Sequence, residues 1–222
     1  MMSELAARAP REGKGAMGFV DYRRDLLDEN VDPNYVLDKY YHSGGSLVFQ
    51  GAPPGEEAEL KTSVATQLHK CFRIRVHPYQ LILCGSAHLG FCPVPDERFG
   101  RSFDPATSDI DIAVVSPELF EMCWTELQTS GLDPDSRALI SRDLFWGFFN
   151  PANIQDKCDF GRTWWDLFGH LRTDRAHGIR GRLYKNYWSM QSYHKLSIVR
   201  ARQQLLEERD NGARSMCRIP VT

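Results

Sequence analysis

Residues 108–115 read Ser-Asp-Ile-Asp-Ile-Ala-Val-Val, and no other stretch constrains the fold as much. Successive side chains on a strand point to opposite faces, so Asp109 and Asp111 share one face while Ile110 and Ile112 take the other. Two like charges at neighbouring positions of one face repel, and burying them unpaired is costly. A divalent cation removes that penalty, since one or two carboxylates plus substrate phosphates suit Mg²⁺ (or Mn²⁺). Upstream, the apolar run Leu81-Ile82-Leu83-Cys84 ends in Gly85-Ser86, a turn small enough to let phosphate approach the backbone. The two segments together read as a metal and triphosphate site on a pair of strands.

An apolar residue, Gly-Ser, a spacer, and then Asp-apolar-Asp resembles the signature of the DNA polymerase β-like nucleotidyltransferase superfamily. Leu83-Cys84-Gly85-Ser86 and Ser108-Asp109-Ile110-Asp111-Ile112 carry it, within residues Gln80 to Val115. The resemblance is to a short bacterial-type member, and such members are often tied to toxin–antitoxin or phage-defence (antiviral) systems. It implies an α/β (α+β) fold: a small mixed β-sheet flanked by helices, with a helical C-terminal part. It also implies transfer of a nucleoside monophosphate from an NTP, with ATP the first expectation, to an acceptor hydroxyl on RNA or tRNA, protein or a nucleotide. Asp109 and Asp111 would be the catalytic metal ligands, with Gly85, Ser86 and Ser108 on the nucleotide side. The interval from Ser86 to Asp109 is about twice the superfamily's usual spacer. A loop of that length is tolerable at the surface, because closure entropy grows slowly with length.

The resemblance also implies a third carboxylate on a neighbouring strand, completing one cation site and acting as general base. No apolar-Asp-apolar strand follows the Asp109–Asp111 segment. Asp143, Asp156, Asp159, Asp166 and Asp174 are available, each in a helix-like or loop-like context. The strand candidate Ile179-Arg180-Gly181-Arg182-Leu183 carries arginines instead, and with Lys185 these suit phosphate contacts. The competing reading is therefore a degenerate nucleotidyltransferase-fold protein that binds nucleotide or RNA, or serves as a partner subunit. A third class is an RNA-binding toxin neutraliser acting through the basic C-terminal helix, with steep salt dependence as its mark.

Charge is distributed unevenly. Residues 170–222 hold 11 Lys/Arg against 4 Asp/Glu, and the rest hold 16 against 25, so a basic C-terminal part follows an acidic one. Such a part suits a polyanion such as triphosphate or RNA, or else a solvated helix face. At 222 residues the chain has material for a real core. No run of eighteen apolar residues predicts a membrane span, and the N-terminus lacks a signal-peptide core. Six cysteines without Cys-x-x-Cys spacing predict reduced thiols in a cytoplasmic protein. His69, Cys71, His77, Cys84, His88 and Cys92 match no structural zinc spacing. Ser86 lacks the glycine frame of a nucleophile elbow.

Periodicity and capping residues divide the chain into a disordered N-terminus (1–18), a nucleotidyltransferase core (19–175), and a C-terminal strand and long basic helix (176–222). Leu60, Val64, Leu68 and Phe72 recur every fourth residue behind an acidic first turn, which predicts a helix over 56–72. Strands are expected at 80–84, 110–115 and 179–183, and a short helix at 86–91. Ser116-Pro117 opens a further helix through about Thr129. The aromatic stretch from Arg137 to Leu171 reads as helical packing material with turns near Asn150-Pro151 and Gly161, rather than as a base-stacking platform. A last helix is expected over 184–209.

Overall fold

The computed structural model describes residues 14–171 and 178–216. Among these, eight α-helices surround a four-stranded mixed sheet, which is the mixed α/β class expected. The strands β1 (Leu81–Cys84), β2 (Ile110–Val115), β3 (Phe148–Phe149) and β4 (Ile179–Tyr184) lie in the order β1-β2-β4-β3. β1 pairs antiparallel with β2, β2 runs parallel to β4, and β3 closes the far edge antiparallel to β4.

Local chemistry accounts for the clearest element boundaries. α3 (Glu56–Phe72) has Glu56, Glu57 and Glu59 in its first turn, where the helix dipole favours acids. It stops at Arg73, which adopts a left-handed conformation with φ 59° and donates its N–H to the His69 carbonyl. α5 (Pro117–Thr129) is capped by the fully buried Ser116, whose hydroxyl accepts the Leu119 N–H at 3.2 Å. Such a cap contributes about 1 kcal/mol.

The sheet has two differently covered faces. Leu81, Leu83, Ile110, Ile112, Val114, Ile179 and Leu183 build the main core with α3, α5 and α7 (Asp159–His170). Trp164 is completely buried there, and its Nε1–H donates to the Gly181 carbonyl at 3.2 Å. Gly181 is needed for this approach, since a Cβ would overlap the Phe168 ring. The opposite face carries Ile82, Cys84, Ala113, Val115 and Tyr184 under Met190 and Tyr193 of α8 (Tyr187–Met216). A separate cluster joins α1 (Lys14–Leu27), α2 (Pro33–Leu37) and α8 through Tyr22, Leu26, Val36, Ile198 and Leu205.

Several expectations need correction. Lys14 to Gly18 belong to α1 rather than to a disordered terminus, while residues 1–13 lie outside the described residues. The chain division at 175/176 falls just before β4, which lies inside the sheet between β2 and β3. Within the aromatic stretch, β3 was not foreseen: two residues are too few to show a period. Gly161 is not a turn but the third residue of α7, where a Cβ would meet the Ile154 backbone. Phe149, Phe160, Trp164 and Phe168 are core residues, whereas Phe145, Trp146 and Trp165 are exposed. α6 (Pro134–Phe145) puts those first two aromatics at and just beyond its end.

The long interval between Ser86 and Asp109 is a folded loop. Phe91 bridges Ser102, and Cys92 exchanges backbone bonds with Arg101 and Gly100. Phe19 of α1 packs edge-on against Phe91 and Phe99, at 5.3 and 5.2 Å between ring centroids. The insertion is thereby tied to the α1–α2–α8 cluster, and its cost in loop entropy is offset by buried aromatic area.

Candidate functional site

β1 ends at Cys84, which lies directly opposite Asp111 in the antiparallel register. The chain then turns at Gly85, φ 64°, into α4 (Gly85–Leu89). Two separate constraints demand glycine at that position. A side chain there would be strained in the left-handed region. It would also place a Cβ 2.5 Å from Asp111 Oδ2. The turn and the second aspartate, 26 residues apart in sequence, are therefore in direct apposition. Ser86 is half-buried in the first turn of α4, where early amides lack intrahelical acceptors.

Asp109 is positioned from both sides. Before it, Ser108 closes a loop with Asp104: the Ser108 hydroxyl accepts the Asp104 N–H at 3.2 Å, and the Ser108 N–H donates to the Asp104 carbonyl at 2.8 Å. Ser108 thus orients the entry into β2 through its turn contacts. Beside Asp109, Gly178 accepts the Ile110 N–H at 2.9 Å, and a Cβ on Gly178 would lie 2.6 Å from Asp109 Oδ1. Sequence reasoning missed Gly178. Its only signal was a glycine immediately before an apolar strand, and that pattern is common.

The face of β4 that meets the aspartates is cationic. Arg180 is the register partner of Asp111, and its Nε donates to Asp109 Oδ2 at 2.7 Å. Arg182, two residues on, holds its guanidinium 4.6 Å above the Tyr193 ring. Burial lifts the Asp111 carboxyl to about 6, opposed by Arg182 and Arg180 and reinforced by Asp109. The carboxylate that most lacks solvent is thus the one that would gain most from another cation. Arg98, in the insertion, also bears on Asp111 although it is bidentate-paired with Asp96, 2.6 Å at its closest contact.

Two clefts lie elsewhere. One of about 360 Å³ lies between α3, α4 and the start of α8, lined by Glu57, Lys61, Ile82, His88 and Tyr187. A second of about 310 Å³ adjoins it across His88, whose Nδ1 meets the Ser46 hydroxyl at 3.1 Å. Neither is lined by Asp109 or Asp111.

The donor set decides what cation the site fits. Asp109 and Asp111 are hard oxygen donors of the kind that hold one Mg²⁺ together with phosphate oxygens. Among the described residues, no three His, Cys, Asp or Glu side chains converge where a metal ion could be held. Asp143, Asp156, Asp159 and Asp166 do not join the aspartate pair, and Asp174 lies outside the described residues.

Comparison with protein families, with curated proteins and with solved structures found no match for this chain. Among the described residues, no helix is long and apolar enough to cross a membrane.

Proposed function

We propose that this protein is a nucleotidyltransferase that moves a nucleoside monophosphate from an NTP to an acceptor hydroxyl. The observation that carries the reading is the contact between the Gly85 turn and Asp111, which joins the two halves of the motif into one site. Gly85 lets the turn close directly onto Asp111, and Ser86 contributes a hydroxyl and backbone amides at the same turn. Asp109 and Asp111 would hold Mg²⁺ or Mn²⁺. When bound, the cation would neutralise phosphate charge and acidify the attacking hydroxyl. In the transfer, the acceptor hydroxyl gives its proton to solvent as its oxygen bonds to the α-phosphorus, the bond from that phosphorus to the bridging oxygen breaks, and pyrophosphate leaves. Arg180 and Arg182 line the same face and offset charge on the departing phosphates.

A second reading, nucleotide binding without transfer, is favoured by one observation. The residue across from Asp111 on the neighbouring strand is Arg180, at the place where the superfamily resemblance implies a carboxylate. RNA ends, proteins and nucleotides are the acceptor classes under the first reading. A partner subunit or a sensed nucleotide or RNA belongs to the second.

Incubation with each α-³²P-labelled NTP, Mg²⁺ or Mn²⁺, total tRNA and cell extract separates the two. The control is the Asp109→Ala, Asp111→Ala double variant. Label on RNA or protein with the wild type alone establishes transfer and names the acceptor class. Metal-dependent NTP binding without label establishes the binding module.

A further inference from the structure

Two arginines project from one face of β4 toward the aspartates, yet they are held very differently. Arg182 is enclosed, with Tyr193 beneath its guanidinium and Tyr184 beside it. The Arg180 side chain is 73% exposed, and among the described residues it is paired with Asp109. Exposed ion pairs of this kind contribute little, about 0–1 kcal/mol, so Arg180 can leave Asp109 readily. Same-face neighbours on adjacent strands lie about 5 Å apart. A guanidinium released from Asp109 therefore stays within reach of a phosphate bound beside the two aspartates.

We propose that Arg180 is an internal counter-cation: it holds Asp109 while no divalent ion is bound, and turns to the polyphosphate when one displaces it. Arg180 would thus be a ligand-binding residue that couples metal entry to triphosphate capture. The inference rests on the nucleotide-site reading above. Its chemistry is that of a guanidinium fork, which matches phosphate oxygens as well as carboxylate oxygens. Its particular consequence is that removing Arg180 changes the two affinities in opposite directions. A residue with a merely structural role at the surface would change neither.

The test uses the full chain and two probes that do not depend on the base: Mn²⁺ followed by electron paramagnetic resonance, and inorganic tripolyphosphate followed by calorimetry at saturating Mn²⁺. Arg180→Ala is expected to bind Mn²⁺ about two- to fivefold more tightly, because the competing cation is gone. The same variant is expected to bind tripolyphosphate about tenfold more weakly, for loss of a charge-assisted bond. Arg180→Asp, which puts a third carboxylate on that face, should bind Mn²⁺ at least as tightly as Arg180→Ala. Unchanged Mn²⁺ affinity in Arg180→Ala, or undiminished tripolyphosphate binding, overturns the inference while leaving the nucleotide site standing. A wild-type chain that binds neither probe overturns the nucleotide reading and this inference with it.

Discussion

The two faces of β2 and β4 are made by the same residues taken alternately, and they solve opposite problems. On one face Ile110, Ile112, Val114, Ile179 and Leu183 are buried against Trp164 and Phe168, and no ionisable side chain of these strands intrudes. On the other, Asp111 and Arg180 stand at the end nearest the Gly85 turn, and Ala113 with Arg182 and then Val115 with Tyr184 follow under α8. The apolar face supplies the stability from which the polar face draws. A carboxyl raised to about 6 is destabilised by its surroundings, and it persists only because the strand beneath it is anchored from behind. Charge within a sheet is thus affordable where the reverse side of the same strand is densely packed.

The largest effect should come from breaking the packed face. Trp164→Ala leaves a cavity and an unanswered Gly181 carbonyl, and is expected to cost about 3–5 kcal/mol in urea unfolding. If the faces work as described, tripolyphosphate binding measured below the unfolding transition should fall much less than stability does.

Asp111→Asn sharpens the contrast from the other side. The folded Asp111 binds its proton more tightly than an unfolded aspartate, so wild-type stability should decline as pH rises from about 4 to about 6. The asparagine variant lacks that decline. It is expected to exceed wild type by about 1–3 kcal/mol at pH 7.5, with the gap closing near pH 4, while losing Mn²⁺ binding. Urea midpoints across that pH range decide the matter, and a variant less stable than wild type at pH 7.5 would contradict the picture of a strained polar face.

Gly85→Ala acts at the junction of turn and carboxylate. Left-handed strain and the approach to Asp111 Oδ2 should cost about 1–3 kcal/mol in urea unfolding and abolish tripolyphosphate binding. Arg180→Ala should have the smallest effect on stability, within about 0.5 kcal/mol, since its pair with Asp109 is largely solvated. That variant therefore isolates binding from folding.

Much of the frame was legible beforehand for reasons that act within a few residues. Acidic residues in the first turn and apolar spacing every fourth residue set out α3 over 56–72, and the helix occupies those residues. Ser116-Pro117 announced α5, and the alternation of Asp and Ile announced β2. β3 was hidden because Phe148 and Phe149 pair with Leu183 and Tyr184, a partnership formed across some 35 residues. The aromatics were also indistinguishable by composition: Trp164 is buried and its neighbour Trp165 exposed, a division made only by which side of α7 meets β4.

By itself, the sequence determined that Asp109 and Asp111 would share a face, that Gly85 would form a tight turn, and that the chain would be mixed α/β, because backbone alternation, glycine's freedom and helix capping are local properties. Only the tertiary structure decided that the turn would lie against Asp111, that Gly178 would leave room for Asp109, and that Arg180 would be the group answering Asp109. Those pairings depend on β1 and β4 flanking β2 in one particular register, and register is set by the packing of the whole sheet against its helices.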